Sequence, residues 1–189
     1  INCLVSIGND EMSSGNYSRD YFKDAKIDFK FSPLFVLTLG NFKSPFSYEL
    51  LNNERNLDFI ERSRATQVFG PIRMTGIQIS GKYDLFGYYF KISDSSLSYT
   101  GSNDKFLNGR ISFDITDWFE FAISEYYSAD SYFFVDGKLY PVTSAGEIIL
   151  KFNPFIFKGE YLHGYPYSND YAISSSGFNG YGEGWYGQI

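Results

Sequence analysis

The chain has 189 residues, and its composition combines 21% aromatic residues with a mean hydropathy of −0.25 and a net charge of −6. The acidic balance argues against a nucleic-acid partner, because no basic patch of the needed size is present. A single cysteine, Cys3, excludes an intrachain disulfide and a multi-cysteine metal site, and the single histidine, His163, disfavours imidazole catalysis. No apolar run approaches roughly 18 residues, so no transmembrane helix is predicted.

Four pairs of alternating apolar and polar runs meet at short turns, and a longer polar stretch separates each pair from the next. The predicted hairpins are Ile27–Leu39, turning at Ser32-Pro33, Ile77–Ile92, turning at Tyr83-Asp84, Ile111–Tyr126, turning at Asp117-Trp118, and Ile148–Leu162, turning at Asn153-Pro154. Short turns on one side, long loops on the other and strands of period two are typical of an outer-membrane barrel. The pattern predicts an all-β, antiparallel transmembrane β-barrel forming a single domain over residues 1–189.

A soluble antiparallel sandwich with one wet face per sheet would give the same alternation, so side-chain direction decides between the two folds. In a membrane, a one-residue slip of register would place charges in lipid, at roughly 2–4 kcal/mol for each Lys or Arg near the midplane. In a barrel the apolar side chains face outward, whereas in a sandwich they pack against a second layer. The side chains that test this are Phe113, Ile115, Phe121 and Ile123.

Aromatic residues near the strand ends are expected to form interfacial girdles; they are Tyr88, Tyr89, Trp118, Tyr126, Tyr127, Tyr161 and Trp185. The chain begins at Ile1 without a secretory signal and ends in what reads as half a strand, which predicts a fragment of a longer protein. Transmembrane strands of roughly 9–11 residues plus loops allow about ten strands in this length.

The stretch from Lys43 to Ile72, called here the 43–72 loop, differs from the other predicted loops because its apolar residues require a packing surface. Its arginines supply positive charge at any ordinary pH. Folded into a barrel lumen, such a loop would narrow the pore and raise the local anion concentration. The candidate residues for pore constriction and anion binding are Lys43, Arg55, Arg62, Arg64 and Arg73. For Arg62 the alternative is a structural salt bridge to an acid such as Glu61 or Asp58.

Four segments, in this order, resemble a known family. They are LGNFKSPFSYELLNNERNLDFIERS at residues 39–63, GIQISG at 76–81, GEIILKFNPFIFKGEYL at 146–162 and GYGEGWYGQI at 180–189. Together they resemble the phosphate-selective porins of the O and P type. The resemblance implies a sixteen-stranded barrel in the outer membrane of a Gram-negative-type bacterium, usually trimeric and passing anions, of which this chain would be a central portion.

The resemblance also assigns residues within the 43–72 loop. Aligned without gaps on the glutamate and arginine that close the loop motif, Arg62 matches a phosphate-contacting arginine and Arg55 matches a basic position. Where phosphate-specific members carry a lysine and a serine pair, this chain carries Leu50, Asn53 and Glu54.

Three function classes stay open at this point. The first is a passive porin for small solutes that has no cofactor. Its expected partners are the lipid bilayer, small ions and further copies of the chain in a homotrimer. The second is a soluble, aromatic-rich β-sandwich that binds glycans, and the third is a structural surface barrel that does not conduct. An enzyme is disfavoured, because the sequence holds no nucleophile–base pair, metal cluster or phosphate-cradling glycine loop.

Overall fold

A computed structural model of the chain describes residues 2–7, 22–52, 57, 62–69, 73–94, 105–128, 134–135, 138–139, 141–164 and 182–188. The strands are β1 (Asn2–Ile7), β2 (Phe22–Ser32), β3 (Phe35–Lys43), β4 (Arg73–Tyr83), β5 (Phe86–Asp94), β6 (Lys105–Thr116), β7 (Phe119–Ser128), β8 (Phe134–Val135), β9 (Lys138–Leu139), β10 (Pro141–Phe152), β11 (Phe155–Gly164) and β12 (Gly182–Gln188). Two short helices, α1 (Tyr48–Leu51) and α2 (Arg64–Phe69), lie between β3 and β4. None of the helices in these ranges is long and apolar enough to cross a membrane.

Ten of the strands form one antiparallel sheet, in the order β1-β2-β3-β4-β5-β6-β7-β10-β11-β12, so each strand pairs with the next member of this sheet along the chain. The small β8–β9 hairpin is a separate two-stranded sheet inserted between β7 and β10. In the described part of the chain β1 and β12 do not pair with each other, so this sheet is not closed. The prediction of an all-β antiparallel fold with about ten strands is confirmed.

All four predicted hairpins form, as β2–β3, β4–β5, β6–β7 and β10–β11. Two turns lie one residue later than predicted, at Pro33-Leu34 and Asp84-Leu85, because the pairing extends to the residue before each turn. Asp84 adopts a φ of 49°. Aspartate tolerates this left-handed conformation, which two-residue hairpin turns require.

The two faces of the sheet are reversed relative to a soluble protein. Apolar side chains on one face are exposed, with Ile123 at 46%, Ile115 at 48% and Phe113 at 39%, and Phe121 beside them is half-buried. Polar side chains on the other face are buried, and those at 2% exposure or less include Lys91, Asn108, Ser124, Thr143 and Glu147. A sandwich would bury the apolar face against a second sheet. The observed direction is that of a barrel wall, with an apolar outer face and a polar inner face.

Aromatic rings cluster on the outer face beside the short turns. Phe31 and Phe35 flank the first turn with ring centroids 5.5 Å apart, and Trp118 lies 5.5 Å from Phe152 of the adjoining hairpin. Such a row is the girdle expected at a membrane interface. Two members of the predicted girdle were wrongly assigned. Tyr89 and Tyr126 pair with Arg110 and Asn108, and therefore belong to the inner face by strand parity.

A small apolar cluster lies on the inner face beneath the 43–72 loop. The loop contributes Phe46, Leu50 and Phe69, which pack against four inner-face residues: Met74, Tyr126, Ala145 and Leu162. Residues 44–47 of the loop are completely covered. The buried core of this fold is therefore the junction between loop and sheet, and it fixes where the loop lies.

Candidate functional site

The base of the 43–72 loop is held by a buried lysine on β5. The Lys91 ammonium donates to the carbonyl oxygens of Phe42 at 2.7 Å and Met74 at 2.9 Å, and it lies 3.9 Å from the centre of the Phe42 ring. Phe42 and Met74 are paired residues at the point where β3 leaves the sheet and β4 returns. Because a buried charge needs bonded partners, these contacts stabilise Lys91 and the loop base together.

Two of the predicted site residues meet within the loop, at the carbonyl oxygen of Asn52. Lys43 Nζ donates to this oxygen at 2.7 Å and Arg62 Nη2 donates to it at 3.2 Å. Arg62 Nε also points at the Glu49 carbonyl oxygen, 3.4 Å away. The last carbonyls of a helix have no intrahelical partner, and these two cations satisfy them at the end of α1.

A buried glutamate connects the two loop helices. Glu49, on α1, accepts hydrogen bonds from the Ser63 backbone N–H at 2.9 Å and 3.0 Å and from the Ser63 hydroxyl at 2.7 Å. Ser63 in turn caps α2, because its Oγ accepts from the Thr66 N–H at 3.2 Å. The helices α1 and α2 therefore form one hydrogen-bonded unit.

The N-terminal end of α1 is bonded to β7 and β11, which lie far along the sheet from β3 and β4. Glu160 of β11 accepts from the Ser47 hydroxyl at 2.9 Å, from the Tyr48 N–H at 2.5 Å and from the Tyr186 hydroxyl at 2.6 Å. The Ser47 N–H donates to Ser124 Oγ of β7 at 3.4 Å. These partners lie 77 to 113 residues away in sequence, so the loop crosses the inner face instead of standing above the sheet.

The inner wall beside α1 carries a second buried acid, Glu147 on β10. Arg110 of β6 binds it through two bonds, Nη2 to Oε2 at 2.6 Å and Nε to Oε1 at 3.2 Å. Ser124 Oγ donates to Glu147 Oε1 at 3.0 Å. The side chains of Arg110 and Glu147 are 11% and 2% exposed, so the pair is held rigidly in the wall.

An open cleft of about 230 Å³ separates α1 from this wall. Its loop side is formed by Tyr48, Leu51 and Asn52. Its wall side holds, among others, Arg110, Ser112, Asp114, Glu120 and Glu147. Asp114 and Glu120 are paired with Lys82 and Lys151, respectively, and both ion pairs lie close to the short turns. The acidic side chains of the cleft wall are thus each paired with a basic side chain.

The remaining predicted site residues are dispersed. Arg64 is exposed as the first residue of α2, and Arg73 donates to Asp24 Oδ1 of β2 at 3.1 Å. Arg55 lies outside the described residues. The structure brings Lys43 and Arg62 together, whereas Arg73 is the first residue of β4 and bonds to β2. Among the described residues, no group of three or more His, Cys, Asp or Glu side chains could hold a metal ion.

The model of one protein family, described as phosphate-selective porin O and P, matches residues 6–116. This is more than half of the chain. The chain belongs to the phosphate-selective porin O and P family. The comparison with curated proteins and the comparison with solved structures give no match.

Membership in the porin O and P family makes the chain, at family level, an outer-membrane porin of bacteria, and this family consists of channels and not of enzymes. The matched residues include β2 to β6 and the whole 43–72 loop, whereas β7 to β12 lie beyond the match. The wall residues that bond to the loop, Ser124 and Glu160, lie beyond the match and are therefore read from the structure alone.

Sequence analysis missed most residues that hold the porin loop in place. Glu49, Lys91 and Glu160 are not candidates in the sequence, because Lys91 and Glu160 are polar positions of predicted strands and Glu49 has no assigned role within the 43–72 loop. Hairpin symmetry would have revealed one pairing, since Glu147 and Glu160 are equally distant from the Asn153-Pro154 turn and face each other across β10 and β11. No sequence signal links Glu160 to Ser47.

Proposed function

We propose that the protein is a passive diffusion porin in which the 43–72 loop narrows a water-filled, single-domain barrel. The observation that carries this proposal is the inversion of the sheet, with apolar residues exposed and polar residues buried, together with a loop that crosses the polar face. Small solutes would pass along the cleft beside α1. Pore diameter and the lining charges would select them, without cofactor or chemical step.

We propose that the pore prefers small anions, phosphate among them, and that it discriminates only weakly between one anion and another. The family description supports anion passage, and the exposed guanidinium of Arg64 supplies positive charge at the loop surface. Specificity is expected to be low for two reasons. Leu50, at a position where phosphate-specific members carry a polar residue, is buried in the apolar cluster, and Arg62 and Lys43 donate to a loop carbonyl.

Planar bilayers test both parts of this proposal. Purified full-length protein should give stable steps of ionic conductance, because a polar interior open to water carries ions. With a salt gradient across the bilayer, the reversal potential should have the sign of an anion-preferring pore. Absence of steps despite membrane insertion would favour a structural surface barrel, and a cation-preferring reversal potential would reject the anion preference alone.

The proposed assembly is a homotrimer in the outer membrane of a Gram-negative-type bacterium, as the resemblance to the family implies. The exposed apolar outer face supports this assembly, because it suits contact with lipid and with other copies. Native mass spectrometry of the detergent-solubilised protein measures the copy number directly. A monomeric mass under conditions that preserve conductance would contradict the trimer.

A further inference from the structure

Glu160 has both carboxylate oxygens occupied by hydrogen bonds. Its Oε2 accepts from the hydroxyls of Ser47 and Tyr186, and its Oε1 accepts from the Tyr48 backbone N–H. The residue is 5% exposed. Two of the three donors belong to the 43–72 loop and the third to β12, so this single carboxylate joins the loop to two adjacent strands of the wall. Bonds to a carboxylate are stronger than bonds between neutral groups.

The loop residue that Glu160 contacts has a strained backbone. Ser47 has a φ of 62°, a conformation that residues other than glycine adopt at a cost and keep only when their surroundings enforce it. Its hydroxyl donates to Glu160 and accepts from the Leu50 N–H at 3.3 Å, so the same group binds the wall and caps α1. Removing Glu160 would remove the partner that orients this hydroxyl.

A second contact places α2 against the same part of the wall. A Cβ atom added to Gly184 of β12 would lie 2.8 Å from Ala65 Cβ and 3.4 Å from the Phe69 ring. Only a residue without a side chain lets α2 approach β12 this closely. The start of α1 is therefore seated on β11 and α2 on β12, far along the sheet from β3 and β4, where the loop begins and ends.

From these contacts we propose that Glu160 is a positioning residue that fixes the 43–72 loop across the lumen and thereby sets the width of the passage. This inference rests on the proposed porin function, because width has a meaning only for a conducting barrel. Lys91 fixes the base of the loop, whereas Glu160 fixes its far end. Without Glu160 the base of the loop would stay in place, whereas α1 would move.

Single-channel recording of three variants tests the proposal. E160A should raise the mean conductance step by about 1.5-fold or more and add fluctuations within open channels, because the loop no longer narrows the lumen steadily. E160Q should give a smaller change, since its amide has one acceptor oxygen where the carboxylate has two. The matched control is Asp28→Asn on the inner face of β2, which removes the same charge at a site whose partners are Thr38 and Lys26 of the wall, and it should leave the step unchanged.

A second readout does not depend on conduction. A spin label on Asn52→Cys, in a Cys3→Ser background, should be immobile in the parent protein and mobile once E160A is added, while D28N leaves it immobile. A mobile label in the parent, or an immobile label with an unchanged step in E160A, overturns the positioning role. If the parent does not conduct, the proposed function fails and the label still decides whether Glu160 holds the loop.

Discussion

The outer and inner faces of the ten-stranded sheet are stabilised in different ways. On the outer face, apolar side chains from adjacent strands lie side by side, as Ile111 and Ile123 do, and any residue of similar hydrophobicity fits there. On the inner face, stability depends on particular partners such as Arg110 with Glu147 and Glu160 with Ser47. The outer face is therefore sensitive to the polarity of a substitution, and the inner face to the identity of the partner.

The largest expected effect comes from placing a charge on the outer face. Ile123 lies midway along β7 between Trp118 and Tyr127, so Ile123→Lys should destabilise the membrane-inserted protein by roughly 2–4 kcal/mol, the cost of a cation near the bilayer midplane. Denaturant titration in lipid vesicles measures this. Ser80→Lys, at a half-buried position on the inner face of β4, is the matched control and should be near neutral because the new ammonium lies on the polar side of the sheet. Equal losses from both variants would contradict the assignment of the two faces.

A smaller effect is expected when a partner is removed from the inner wall. Glu147→Ala leaves the guanidinium of Arg110 without its two bonds, and we expect a loss of about 2 kcal/mol, below the range for fully dry ion pairs because the cleft is open. The same denaturant titration applies. The double variant Arg110→Ala/Glu147→Ala should lose less than the sum of the single variants. Strict additivity would mean that the two residues do not interact.

This difference between the faces also explains how much of the fold could be read from the sequence. Alternation places every second residue on one face, so the four hairpins and the outward direction of Phe113 and Ile123 followed from the pattern. Tyr126 was misassigned to the girdle because proximity to a strand end was used in place of parity. Parity, counted from Ser124, puts Tyr126 on the inner face.

The candidate site was less predictable, since its contacts join residues far apart in the chain. The sequence indicated that the 43–72 loop needs a packing surface, and its Phe46 and Leu50 do pack on the inner face. It gave no means of choosing Glu160 among the inner-face acids as the partner of Ser47, 113 residues away. A loop without periodicity carries no signal of register, so its destination is fixed by three-dimensional contacts alone.

The smallest expected effect concerns the wetter end of the inner face, near the short turns. Lys82 and Asp114 form an ion pair there, but their side chains are 63% and 35% exposed. Asp114→Asn should therefore lower the free energy of unfolding by less than about 1 kcal/mol, because water screens the pair and solvates the freed lysine. Denaturant titration of Asp114→Asn and Glu147→Ala under the same conditions compares the two losses. A loss as large as that of Glu147→Ala would show that the strength of the inner-face ion pairs does not depend on their burial. Water would then be excluded equally from the whole wall, from the short turns to the loop.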